Sequence, residues 1–162
     1  MLRIPKVIIE TVPEGPLTRD ARTISALLAD PARTAAVVVT LAEEMPANEA
    51  KELSDKLQTE LGVATQHVIA NQVYPATVTT GPVKQIITAL EASPPLDPTL
   101  AALLAHGRLM RDRHALNQIY LEQLRKTITV PLTEMPMRFT ANGGLTPTDI
   151  TAMADLLAKA LA

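Results

Sequence analysis

The 162-residue chain contains no cysteine and no tryptophan, and its aromatic side chains are Tyr74, Tyr120 and Phe139. Without thiols it can form neither a disulfide nor a thiolate metal site, which fits a reducing compartment. With aromatics at 2% and apolar residues at 47%, its core has to be built from Leu, Ile, Val, Met and Ala. An excess of either charge is lacking too. A net charge of −2 gives no reason to expect a nucleic acid or an anionic membrane surface as partner. The opening MLRIPKVIIETVPEG is apolar, but Pro5, Lys6 and Glu10 interrupt it, so it has no signal-peptide core. No later run is long enough to insert into a membrane. The chain reads as one soluble, cytoplasmic domain over residues 1–162, large enough to bury a core of its own.

What is present alternates between two patterns. Ala35 to Leu41 (AAVVVTL) and Gln66 to Val73 (QHVIANQV) are short β-branched apolar runs, continuous rather than alternating, as in strands covered on both faces. Lys126 to Leu132 (KTITVPL) is a third candidate, placed at a sheet edge because Pro131 cannot donate to a ladder. Helical spacing links Ala21, Ile24, Leu27 and Leu28, and again Ala50, Leu53, Leu57 and Leu61, with Gly62 as a stop. Val83, Ile86, Ile87 and Leu90 repeat in the same way. A long helix is expected after Asp97, from Pro98 to about Arg125. The last helix is capped by Thr146, with Pro147 in its first turn and Asp149 at capping-box distance. Proline clusters where elements meet, as in SPPLDP at 93–98. Strand and helix in alternation predict an α/β fold with a largely parallel sheet flanked by helices.

Self-sufficient chemistry is scarce. His106 and His114 stand eight apart on the long helix, two turns rather than the single turn that favours a shared metal, and read as partly exposed helix residues. None of Ser25, Ser54 and Ser93 lies in a nucleophile elbow. The basic stretch HGRLMRDRH at 106–114 is interrupted by Asp112, lacks interleaved aromatics, and reads as a solvated helix face. Asn142-Gly143-Gly144 has no lysine and precedes a helix cap, so a turn is expected rather than a phosphate cradle.

Four segments in order carry a resemblance. DPARTAAVVVTLAEEMPANEAKEL, from Asp30 to Leu53, is similar to the ArsA-type (anion-pump and tail-anchored-protein-targeting) ATPase stretch: an Asp-Pro-x-x-Thr lead-in, a strand, a Pro-Glu pair and a helix opening with Asn-Glu. IANQVYP at 69–75 resembles that family's strand ending in Asn-Gln, RHALNQIYLEQL at 113–124 its long Arg-rich helix, and VPLTEMPMRF at 130–139 its closing strand and loop. The chain resembles the carboxy-terminal half of such an ATPase, half of a P-loop NTPase-like fold. No G-x-x-x-x-G-K-[ST] occurs, so there is no amide nest or lysine for β- and γ-phosphates and no hydroxyl poised for Mg²⁺. Ala42 stands where the family's pair has proline, and the Cys-x-x-Cys of zinc-linked dimers is missing, which excludes a zinc bridge.

The resemblance implies adenine binding by Asn71 and Gln72, which end a parallel strand, and by the loop Pro136, Met137, Arg138 and Phe139. A carboxamide offers both donors and an acceptor to the base edge. Pro136, Met137 and Phe139 would form an apolar plate, and Arg138 would stack or meet a phosphate. From spacing alone, Asn71 equally serves to turn the chain, and Met137 and Phe139 to fill the core. The implied cofactor is ATP with Mg²⁺, held only together with a phosphate-binding amino-terminal half or second subunit, in a homo- or pseudo-dimer. A complete family member is expected to be an ATPase, and this chain alone to be inactive. The alternative is a stand-alone, non-enzymatic interaction or regulatory module that kept the fold without hydrolysis. An uncovered sheet with Val37, Val39 and Ile69 partly bare would favour the first reading.

Overall fold

The computed structural model describes residues 2–93, 95–139 and 143–161. Pro94 of the SPPLDP stretch and Asn142 of the Asn-Gly-Gly turn lie outside them. In chain order the described elements are α1 (Ile4–Thr11), α2 (Pro16–Ala29), β1 (Ala36–Leu41), α3 (Glu44–Leu61), β2 (Thr65–Val73), a 3₁₀ turn (Ala76–Val78), α4 (Gly81–Glu91), α5 (Pro98–Thr127), β3 (Leu132–Pro136) and α6 (Pro147–Leu161). β1, β2 and β3 form one parallel sheet in that spatial order. The fold is α/β, as the alternation of patterns predicts.

Local signals explain most boundaries. Gly62 ends α3 at φ 71°, with its N–H on the Gln58 carbonyl and the Val63 N–H on Leu57. Asp97 Oδ1 accepts from Thr99 N at 2.9 Å and Leu100 N at 3.2 Å, which opens α5. Thr146 and Asp149 exchange hydrogen bonds, the Thr146 N–H to Oδ2 at 3.0 Å and the Asp149 N–H to the Thr146 hydroxyl at 3.2 Å, in the reciprocal box that starts α6.

Two boundaries differ from expectation. The third strand is Leu132–Pro136, not Lys126 to Leu132, because α5 continues to Thr127 through Leu124, Arg125 and Lys126, all strong helix formers. Pro131 lies just before the strand, where its carbonyl accepts from Val68 N at 2.9 Å and its missing N–H costs nothing. β3 is nonetheless an edge strand. The amino-terminal helix α1 is the second difference, in a stretch to which the sequence reading assigned no element. Pro5 sits in its first turn and Ile4, Val7 and Ile8 fall at helical spacing, and Arg3 and Lys6 both reach Glu60 of α3.

The sheet has two unlike faces. Val38, Val68 and Ala70 point toward α3 and α5, and pack there with Ala47, Ala50, Leu57, Leu121 and Leu124. Both crossovers step the same way along the sheet, and connections of one hand then set both helices on one side. The alternate residues face away. Val37 is 44% and Val39 61% exposed. β1 is therefore not covered on both faces, contrary to the expectation from its continuous apolarity. Ile69 was expected to be bare as well, yet it is only 6% exposed. It lies in the central strand, in register with Val39 on one side and Thr133 on the other, whereas Val37 and Val39 lie on an edge strand.

Candidate functional site

In open parallel sheets, ligands settle beyond the carboxyl ends of the strands. Here β2 reaches that end through an irregularity: its pairing with β3 shifts register between Ala70 and Val73, and Gln72 has φ 56°. A left-handed backbone at a non-glycine residue costs on the order of 1–3 kcal/mol and persists only where its surroundings enforce it. The kink returns Val73 to the helix-side core beside Ala70 and leaves Gln72 exposed. The Gln72 N–H released from the ladder donates to Asn71 Oδ1 at 2.9 Å.

Asn71, Gln72, Pro136, Met137 and Arg138 line one cavity of about 270 Å³, with Gly143, Gly144, Leu145 and Met153 closing its far side. Two strand ends and the start of α6 thus converge on five of the six residues singled out from the sequence. Met137 continues from β3 with its N–H on the Val73 carbonyl at 2.8 Å, which fixes the loop beside β2. Phe139 is not among the walls. It is 49% exposed, and its ring tilts against Tyr74 at a centroid distance of 5.7 Å. Arg138 stands 3.9 Å from Asp149 at the head of α6. The Asp149 carboxyl is held below its ordinary range, chiefly by the Thr146 hydroxyl and then by the Thr146 N–H.

Residues not singled out for the site surround it. A second cavity of about 160 Å³ shares Asn71, Gln72 and Met137 and adds Glu43, Arg113 and Asn117. Arg113 Nη1 pairs with Glu43 Oε1 at 3.3 Å, and Arg108 and Arg111 both reach Glu91 of α4. The basic stretch 106–114 is therefore a largely solvated face, as expected, that also carries inter-element ion pairs. His106 is exposed, His114 bonds the Tyr74 backbone, and His67 is buried with Nε2 at 2.8 Å from the Thr133 hydroxyl. Leu145 and Met153, which the sequence did not single out for the site, join it through the start of α6. Glu43, Arg113 and Asn117 are joined to the site by the fold.

The arrangement can hold a planar base. It offers carboxamides at one rim, apolar Pro136 and Met137, and a guanidinium, within a volume slightly below the range of whole-ligand pockets. It does not fit a Mg²⁺–triphosphate. No group of three or more His, Asp or Glu residues converges among the described residues, and the Gly143–Gly144 turn carries no lysine. No helix among the described residues is long and apolar enough to cross a membrane.

Compared with known families, residues 11–90 match the model of the anion-transporting ATPases. The matched span runs from the end of α1 through β1, α3 and β2 into α4, and includes Asn71 and Gln72. No curated protein matches the chain.

Proposed function

We propose that the chain, whose residues 11–90 match the model of the anion-transporting, ArsA-type ATPases, supplies the base-recognition and partner-contacting part of an ATP-binding ATPase without hydrolysing nucleotide by itself. The observation that carries this reading is the shared cavity of Asn71, Gln72, Pro136, Met137 and Arg138 at the carboxyl end of the parallel strands. Asn71 Oδ1 has a second lone pair beyond the one given to Gln72, and its amide hydrogens are directed by the same bond, so one side chain can both donate to and accept from an adenine edge.

Phosphates and Mg²⁺ would be held by a glycine-rich loop with its lysine, which these 162 residues do not contain. That part comes from an amino-terminal segment or a second subunit, in a homo- or pseudo-dimeric assembly. The bare Val37 and Val39 support the idea that such a part covers the open face, and they count against a stand-alone interaction module, which would carry polar residues there.

Titration of the chain with adenosine, ATP and guanosine tests the reading. Adenosine and ATP bind with similar weak affinity, guanosine more weakly. Asn71→Ala lowers adenosine affinity roughly tenfold, about 1–1.5 kcal/mol for one neutral hydrogen-bonding group, with an unchanged melting temperature. Equal binding of guanosine, or Mg²⁺-dependent turnover by the purified chain, overturns it.

A further inference from the structure

Tyr74 follows β2 directly, and side chains of α5 hold both of its backbone groups. Its N–H donates to Asn117 Oδ1 at 2.8 Å, and its carbonyl lies 2.7 Å from His114 Nδ1. A carbonyl only accepts, so His114 carries its proton on Nδ1. The other end of the same Asn117 carboxamide, Nδ2, donates at 2.9 Å to the Ala42 carbonyl, one residue past the end of β1. This side chain is 3% exposed.

One buried carboxamide thus ties the exits of two strands together through a helix. The ladder does not do this. Pairing of β1 with β2 ends at Leu41 and Asn71, and pairing of β2 with β3 is broken between Ala70 and Val73. The segment Asn71–Gln72 departs from regular pairing near the end of β2, with a left-handed residue in it, and its far end is fixed at Tyr74 by Asn117 and His114. The bracing needs a donor toward Ala42 and an acceptor toward Tyr74 on one short stem. An apolar residue would fill the same volume and leave both backbone groups unpaired in the interior.

We propose that Asn117 is a positioning residue for base recognition. It sets the Asn71–Gln72 tip against the end of β1, so that both carboxamides enter the cavity in a fixed register. The proposal rests on the base-site reading above, and its test separates the two.

The experiment compares the parent chain with Asn117→Ala, Asn117→Asp and Asn71→Ala. Asp keeps an acceptor for Tyr74 but no longer donates to Ala42, and it serves if the alanine variant does not fold. Two quantities are read: calorimetric affinity for adenosine and guanosine, and amide hydrogen exchange at Gln72, Val73 and Tyr74 against Val38 and Val68 in the strand interiors. Asn117→Ala should accelerate exchange at Gln72 to Tyr74 by roughly tenfold or more while Val38 and Val68 stay slow. Both Asn117 variants should lose roughly tenfold in adenosine affinity and narrow the preference over guanosine. Exchange that rises evenly through the sheet, with adenosine affinity of the folded protein intact, makes Asn117 a stability residue only and overturns the proposal. If Asn71→Ala binds adenosine as the parent does, the base-site reading falls instead. The exchange pattern then judges the brace alone, local loss for it and uniform loss against it.

Discussion

Val38 and Val39 are neighbours in β1 with the same side chain, yet one is 4% and the other 61% exposed. The pleat alone separates them, sending successive residues to opposite faces. Val38 packs in a buried cluster with Ala50 and Leu57 of α3, whereas Val39 is exposed and belongs to no buried cluster among the described residues. An antiparallel sheet that lives with one wet face carries polar residues on that side, and β1 does not. Its residues suit two covered faces. The comparison teaches that exposure here is set by which face of the sheet the helices cover rather than by the residue types of the strand.

The largest expected effect lies on the covered face. Leu124 has no exposed surface and sits in the cluster with Ala70, Val73 and Leu121. Leu124→Ala should destabilise the chain by about 2–5 kcal/mol in chemical denaturation, since helix and strand backbones cannot collapse fully into the space left. Val39→Ala on the open face should stay within about 0.5 kcal/mol. Similar losses for the two would break the contrast between the faces.

A middle-sized effect sharpens it. If the open face seeks a cover, the isolated chain self-associates, and Val39→Lys should shift its sedimentation toward monomer at high concentration with little change in melting temperature. A parent chain that stays monomeric throughout argues that the bare face has no association role.

The same contrast explains what was legible in the sequence. Helix ends were readable because their determinants are local: Gly62 needs only its own φ, and Thr146 with Asp149 completes its box within four residues. The α/β alternation was readable for a similar reason. The open face was not, because AAVVVTL is apolar at every position except Thr40, which is itself buried, so the run carries no polar–apolar parity to reveal which side is covered. α1 did leave a signal in Ile4, Val7 and Ile8, hidden by giving weight to Pro5, which is at home in a first turn. Within the site, Asn71, Gln72 and the Pro136–Arg138 loop stood out through family resemblance. Asn117 could not, since its partners lie 43 and 75 residues away and a single Asn on a long helix advertises nothing.

The smallest effect concerns α6, the element that closes the cavity with Leu145 and Met153 yet buries no residue fully. Its start depends on Asp149, whose carboxyl is lowered from an ordinary 3.8 first by the Thr146 hydroxyl, then by the Thr146 N–H, with a weaker pull from Arg138. A lowered folded-state value means that the unfolded chain binds this proton more readily. The stabilisation is therefore complete above the ordinary value, and is lost as pH falls through it and through the lowered one. Glu14, Glu91 and Glu122 are lowered as well, so a global melting curve would mix four contributions. A local readout isolates one: amide exchange in the first turn of α6, followed from pH 6 down to about 3, should accelerate beyond the intrinsic pH dependence, and Asp149→Asn should remove that extra component. Because the cap is exposed and screened, adding salt should weaken only the Arg138 part and leave the Thr146 hydrogen bonds in place. An acid response in α6 that survives Asp149→Asn would assign the loosening to a different titrating group, and the Thr146–Asp149 box would then not be what makes the start of the helix, and the cavity wall it forms, sensitive to acid.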